Sequence, residues 1–579
     1  MARLHPWIAV ASAAVLVVSA AAAAPPAAAA GRTHAGGNRW MVVAKSDQDY
    51  GSLRADITAA GGSILKELPD IGTFVVAGGE NVHGLASDAH ASGVAPDHLE
   101  ALSPPDSRTA LHPFTPHGAG GGSHSKITPD PAMSLPGLMW NVNRIEAPEA
   151  WRASAGSPAV TVGVADTGLD YTHSELASQV VHVEDFTGME GSPTICEQVY
   201  GDGNTDAAFA AQYGGPATTD WNGHGSWIGG NIAAALDGLG INGIAPKVKL
   251  VALKISQWCG YAYDSEILAA FTYAANNGID VVSISFGGYL DLAQSDQALV
   301  YQQYVKTVAY AMRKGTLIVA AAGNEHVRVG AGGRVLSHGS LTTPGDEVVD
   351  YYGQYETPGG IPGVIDVSST GNVVNMPTAG CTPDYPNATC KSTGDSHQPT
   401  GIGHLNQLAY YSNYGPRIDI AAPGGARKFN LPVWDGGGTP GFPVTTADGT
   451  SAWQDFSVTS NWALEIPCYY DLGPQFYPND CYSTIQGTSM ATPHVSAVVA
   501  LLASRYPSLR HRPAALAAKL KASAQRMWGN TTQPLSASDV SAADLTGAAC
   551  ATGYCHLGGT RISDGDAYGA GLVDAGFGH

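Results

Sequence analysis

Four short segments carry side chains suited to nucleophilic chemistry. Asp166 closes the run Val162-Gly163-Val164-Ala165-Asp166 and is followed by Thr167-Gly168. That puts an acid at the C-terminal end of a buried-looking strand, where open α/β sheets bind their ligands. His224 stands in Asn222-Gly223-His224-Gly225-Ser226-Trp227, between glycines that allow other backbone to come close, at the start of a helix running to Ala235. Asn324 follows the small-residue strand Leu317 to Ala322 and Gly323, with an amide able to donate into a cleft. Ser489 lies in Gly487-Thr488-Ser489-Met490-Ala491-Thr492-Pro493-His494, just before an apolar stretch of helical length, Val495 to Ala503. Its hydroxyl and backbone N–H then sit at the positive end of a helix, where an oxyanion is stabilised, and Pro493 is tolerated there if it falls in the first turn. Singly, each has an ordinary reading: Asp and Asn in turns, a structural His, a Ser that only caps a helix. Together, a carboxylate, an imidazole, a hydroxyl and an amide are the parts that make a serine oxygen nucleophilic and hold the oxyanion it creates.

The elements that must position these groups alternate along the chain. Strand-like runs at Val160 to Ala165, Val248 to Lys254, Val281 to Phe286 and Leu317 to Ala322 are separated by stretches with helical spacing at Ser265 to Asn277 and Leu299 to Lys314. The alternation predicts an α/β fold: a mostly parallel sheet with helices on both faces. Polar, Gly-rich and Cys-bearing stretches at roughly 186–219, 326–360, 370–400 and 425–480 read as surface insertions. Upstream, a strand at Trp40 to Ala44, a helix at Tyr50 to Ala60 and a strand at Gly72 to Ala77 predict a small α+β unit within 31–102. Between 103 and 137 the composition turns to Gly, Pro, Ser and His, as in a linker.

The order Asp, His, Ser is the one found in subtilisin, and the sequence resembles the subtilisin-like serine peptidases. The segments around Asp166, His224, Asn324 and Ser489 look like that family's active-site blocks. Gly243-Ile244-Ala245-Pro246, Ser283-Ile284-Ser285-Phe286-Gly287-Gly288, Ser412-Asn413-Tyr414-Gly415-Pro416, Ala422-Pro423-Gly424 and Tyr568-Gly569-Ala570-Gly571-Leu572-Val573 extend the match over about Leu138 to Ala575. The resemblance implies a peptidase domain at 138–579, with Asp166, His224 and Ser489 catalytic and Asn324 in the oxyanion hole. It implies that Ser285, Phe286 and Gly287 form an edge strand for extended substrate, a mode in which main-chain hydrogen bonds give affinity. Glu325, next to the oxyanion Asn, would border the pocket for the substrate side chain and favour a basic one. The unit at 31–102 resembles the family's ferredoxin-like pro-domain, an intramolecular inhibitor, with the maturation cut inside 103–137. The chemistry needs no cofactor. A structural calcium would sit at Glu175 and Asp237 with the carbonyls of Ala235, Leu239 and Ile241, the other reading being an acidic surface loop. Two positions depart from the family: Trp227 where a second His is frequent, and Ser226 where Thr is usual.

Composition agrees with export and excludes other classes. Residues Met1 to Ala30 carry Arg3, an apolar run at Trp7 to Ala24 and the small residues Ala28-Ala29-Ala30, which reads as a cleaved signal peptide and a secreted, extracellular product. No later stretch is apolar enough to cross a bilayer, so no membrane association is expected of the mature form. The 8 cysteines are an even count for an exported chain and read as disulfides, paired by proximity as Cys196 with Cys259, Cys381 with Cys390, Cys468 with Cys481 and Cys550 with Cys555. With Lys+Arg 29 against Asp+Glu 49, a net charge of −20 repels phosphate backbones and argues against nucleic acid. Polypeptide substrates and a monomer are expected. An α/β-hydrolase esterase would want G-x-S-x-G and the order Ser, Asp, His, but Ala491 stands where that elbow needs Gly. An inactive peptide-binding scaffold would have been expected to lose one of the four residues, and all are present. An exopeptidase of the same family is the alternative, because insertions could wall off one end of the cleft.

Overall fold

The computed structural model describes residues 39–102, 109–110, 140–190, 193–201, 203–236, 241–340, 349–371, 381–384, 389–392, 408–409, 411–425, 458–463, 481–527 and 562–577. The expected signal peptide, most of the linker, Asp237 and Leu239 lie outside these residues, as do the cysteine side chains other than Cys196 and Cys259.

Seven parallel strands form the central sheet, in the order Ile420–Pro423, Ile365–Thr370, Leu317–Ala321, Val281–Ile284, Thr161–Asp166, Lys249–Lys254, Val180–Asp185. The apolar runs read from the sequence are continuous because both faces are covered. Alternate residues divide between two cores: Val162, Val164, Leu250, Ala252, Leu317 and Val319 meet Trp227, Ile228, Val495 and Val499 on one side. Ala165, Val251, Leu253, Ile318 and Ala320 meet Ile267, Phe271, Val300 and Tyr304 on the other. This is the two-residue period of a strand expressed as a two-sided core. Helices His224–Ala233 and Thr488–Arg505 therefore cover one face, and Asp264–Asn276 and Ser295–Lys314 the other.

Residues 39–102 form a β-α-β-β-α-β unit whose antiparallel sheet runs Ser63–Leu68, Thr73–Ala77, Arg39–Ala44, Ala91–Pro96. This is the ferredoxin-like arrangement. Helix Tyr50–Ala59 packs Leu53 and Ile57 on one face against Val42, Phe74 and Val76. The opposite face contributes Met41, Leu68, Ile71, Val75 and Ala95 to the core beneath helices Asp264–Asn276 and Ser295–Lys314. The strands Ser63–Leu68 and Ala91–Pro96 had no clear sequence signature, because their half-exposed and exposed residues break the alternation.

One expected disulfide is formed, Cys196–Cys259, which ties the helix Ile195–Tyr200 of the first insertion to the residue before Gly260. Among the described residues no helix is long and apolar enough to cross a membrane.

Candidate active site

Asp166 ends its strand with 1% of its surface exposed, and its Oδ1 accepts the Thr167 N–H at 2.8 Å. The same oxygen lies 2.8 Å from Nδ1 of His224, itself 2% exposed. The close approach of the two segments requires a glycine beside the His: a Cβ on Gly225 would lie 2.0 Å from the carbonyl oxygen of Gly168. A second carboxylate, missed in the sequence, organises this corner. Buried Asp220 accepts from the N–H of Gly223 at 2.8 Å and of Ser226 at 2.8 Å, and from the hydroxyls of Ser226 at 2.7 Å and Thr167 at 2.9 Å. It thus neutralises the N-terminus of the helix that His224 opens. Nothing in its local sequence, Thr219-Asp220-Trp221, distinguishes it from a turn acid.

The two departures from the family have structural partners. Ser226 keeps a hydroxyl that serves Asp220 and accepts the Asp170 N–H at 2.8 Å. Trp227 is fully buried and donates its Nε1–H to the Ser483 carbonyl at 3.2 Å. Strands Val458–Trp462 and Cys481–Ile485 form a hairpin from the insertion that lies on this helix, and Ser460 donates to the Trp227 carbonyl at 2.7 Å.

Ser489 is the second residue of helix Thr488–Arg505, among the first four N–H groups that have no intrahelical acceptor. Its hydroxyl donates to the Ser285 carbonyl at 3.3 Å, while Nε2 of His224 has no hydrogen-bond partner among the described residues. The serine is thus turned onto the substrate-side strand and not onto the imidazole. Pro493 sits in the second helical turn and so removes the N–H that would bond the Ser489 carbonyl. That carbonyl instead accepts the Ser285 hydroxyl at 3.1 Å, and the two serines brace each other. Asn324 accepts through Oδ1 from the Thr488 N–H and the Thr488 hydroxyl, each at 2.9 Å, which fixes the amide against the start of the same helix.

Ser285, Phe286, Gly287, Asn324, Glu325 and Ser489 line one cleft. Two of the expected substrate contacts are revised by packing. Phe286 is 1% exposed with its ring in the sheet core, so only its backbone faces the cleft. The Glu325 carboxylate accepts the Tyr289 hydroxyl at 2.7 Å and the Asn413 amide at 3.4 Å, and is committed to the protein. Behind Glu356 of the same lining runs the 359–364 turn. Arg417 holds that turn by donating to the carbonyls of Gly359, Ile361 and Val364 while paired with Asp419 at 2.8 Å.

The cleft already holds a strand of the chain's own. Leu99–Ala101 pairs antiparallel with Tyr261–Tyr263, Ala101 bridges Gly287, and the Leu102 N–H donates to the Gly260 carbonyl at 2.7 Å. Upstream of this strand, Asp97 accepts the Ser265 N–H at 3.0 Å at the start of a helix, and Arg39 binds Asp97 at 2.6 Å and lies over the Tyr263 ring.

Glu175 lies where the sequence placed it, beside the 235–241 stretch. Its Oε1 accepts the Ile241 N–H at 2.9 Å and the Tyr482 hydroxyl at 2.6 Å, and its Oε2 the Asn461 amide at 2.8 Å. These donors hold the Glu175 carboxylate among the described residues, while Asp237 and Leu239 of the expected calcium loop lie outside them. The expected result is that Tyr482→Phe, by leaving a buried oxygen short of a donor, costs about 1–3 kcal/mol. A calcium at this loop should make Tm fall on chelation; an unchanged Tm in thermal melts would favour the acidic surface loop.

The parallel sheet, with an acid, an imidazole and a hydroxyl carried in this order, defines a subtilisin-like serine peptidase. The model of the subtilase family matches residues 157–554, and the chain belongs to that family. It is 27% identical over 375 residues to thermitase of Thermoactinomyces vulgaris, covering 64% of this chain and 85% of thermitase. It is 26% identical over 377 residues to M-protease of Shouchella clausii, covering 65% of this chain but 62% of that protein's length. Among solved structures, fervidolysin from Fervidobacterium pennivorans superposes with a TM-score of 0.53 at 19% identity, over 93% of this chain and 60% of that one. The epidermin leader peptide processing serine protease of Staphylococcus aureus gives 0.56 at 16% identity, over 93% and 96%. These likenesses are of fold.

Proposed function

We propose that the protein is a secreted serine endopeptidase, made as a zymogen whose N-terminal unit occupies the cleft until it is cut away. Ser489 rotates off the Ser285 carbonyl toward His224, attacks the peptide carbonyl, and passes its proton to Nε2. Asp166 holds the imidazole in the tautomer that leaves Nε2 free to accept, and stabilises the imidazolium that follows. The oxyanion is received by the Ser489 N–H and the Asn324 amide. The imidazolium then protonates the leaving amine, and water repeats the sequence to release the acyl group.

The observation that carries this reading is the seat of the 99–102 segment. An extended chain lies between Tyr261–Tyr263 and Gly287 and reaches the cleft that contains Ser489 and Asn324. Main-chain pairing of this kind accepts many sequences, which suits an endopeptidase. The test is intact mass of purified wild type beside Ser489→Ala, with a fluorophosphonate label. Loss of roughly the first hundred residues and labelling in wild type only are expected, the segment length following from the domain reading. A wild type that stays full length and unlabelled under folding conditions would instead favour an inactive scaffold.

A further inference from the structure

The floor of the cleft beside Ser489 is acidic. Glu356 lines it from the strand Tyr355–Thr357, paired directly opposite Tyr289 of Gly288–Leu290, which lines it as well. Glu356 is 3% exposed, and neither of its carboxylate oxygens has a hydrogen-bond partner among the described residues. A Cβ on Gly359 would lie 2.5 Å from Glu356 Oε1 and 2.9 Å from Asp366 Oδ1, so the two acids face each other across that glycine. Arg417, whose charge reaches Glu356, is itself bound to Asp419 and three carbonyls, and among the described residues makes no ion pair with Glu356. Glu325, half-buried, adds a second carboxyl to the same lining, but its oxygen is taken by Tyr289 and Asn413. A buried carboxylate with no donor is costly, and a cation brought to it recovers that cost.

We propose that Glu356 selects a lysine or arginine side chain on the substrate residue that precedes the scissile bond. The inference rests on the peptidase reading above, since it takes the carbonyl held by Ser489 and Asn324 as the scissile one. The side chain of that residue enters the lining shared with 285–289 and ends at Glu356. It moves the role that the sequence suggested for Glu325 onto a residue whose oxygens, though buried, have no bonding partner among the described residues. Burial, and then the charge of Asp366, hold the Glu356 carboxyl well above the ordinary carboxylate range. A bound ammonium or guanidinium would return it to the ionised form.

The experiment compares peptide substrates that differ only at that position, Lys, Arg, Leu or Phe, on wild type and Glu356→Gln, with active sites counted in a separate aliquot of each by fluorophosphonate labelling. Wild type should show a higher kcat/KM for Lys and Arg than for Leu, and be inhibited competitively by benzamidine. In Glu356→Gln the preference should fall by about 30-fold or more, the effect of removing one partner of a buried charge pair. A wild type whose aliquot takes the label but which prefers Leu or Phe and ignores benzamidine overturns the assignment while leaving the peptidase reading intact, even if the variant fails to fold. An unchanged preference in a Glu356→Gln whose aliquot takes the label overturns it equally. Absence of label in wild type takes down both readings.

Discussion

Asp166→Asn should lower kcat by about 10⁴ with KM largely unchanged. The reason lies in one oxygen. Oδ1 of Asp166 accepts from the Thr167 N–H and hydroxyl and stands 2.8 Å from Nδ1 of His224, so the imidazole must carry its proton on Nδ1 and present a bare Nε2. An amide that keeps its oxygen here preserves these bonds but brings no negative charge to stabilise the imidazolium. One that turns its NH₂ here makes the imidazole accept at Nδ1 and carry hydrogen on Nε2, where it cannot receive the serine proton. Shape and burial are nearly conserved, so the loss should fall on the chemical step. Rapid-quench acylation with an activated ester, beside a circular dichroism spectrum matching wild type, reads it directly. A loss of only a few-fold would mean that Asp220 and the helix N-terminus orient His224 without Asp166.

The second large effect concerns release of the N-terminal unit. Glu100, 5% exposed, is buried against Asp264, and burial followed by the Asp264 charge pushes its carboxyl well above the ordinary range. Asp264, itself bonded to Tyr304 at 2.6 Å, is raised by burial to about 7. Around them stand Arg39, Asp97 and His98 from the N-terminal unit and Glu190, Tyr263, Glu266 and Asp296 from the catalytic domain. Burial raises Glu190 to about 7 and lifts Glu266 well above its ordinary value, leaving one guanidinium against several acids. Freed into water, Glu100 ionises near its ordinary value, so docking must take up a proton. A raised docked pKa gives an attraction that is full at low pH and is lost as pH rises through that value. His98 works the other way: burial lowers its pKa, so it takes up a proton on release below about 6.5 and offsets part of the gain there. The loss of affinity is therefore concentrated above neutrality, about tenfold per pH unit for one proton. After the chain is cut, the N-terminal unit should co-elute with the catalytic domain at mildly acid pH and separate at alkaline pH. Glu100→Gln should flatten that dependence. Co-elution that tightens with rising pH would contradict the assignment.

The parts of this molecule that follow from short-range sequence were legible before any coordinates. Asp166, His224, Asn324 and Ser489 each sit at the end of an apolar run whose period announces a strand or helix, so segment and residue are read together. Glu356 and Asp220 had no such frame. Each is an acid in polar surroundings, and what gives it meaning is a partner brought in by topology: Tyr289 and Asp366 for Glu356, the N-terminus of the His224 helix for Asp220. The same holds for Glu325, whose neighbour in sequence suggested a role in the cleft and whose neighbour in space, Tyr289, takes its oxygen. Trp227 looked like an anomaly until the distant hairpin Val458–Trp462 and Cys481–Ile485 was found lying on it. The turn that holds Pro493 is not fixed by the local pattern, because helix starts are set by the cap and the packing around it.

The turn at 359–364 is fastened by Arg417, a counter-ion that belongs to the polypeptide. A charge supplied by the chain cannot be exchanged, diluted or dialysed away. The shape of this turn is therefore written into the gene and is not borrowed from the medium, and a protein that meets changing ionic surroundings would carry the same support behind Glu356 into each of them.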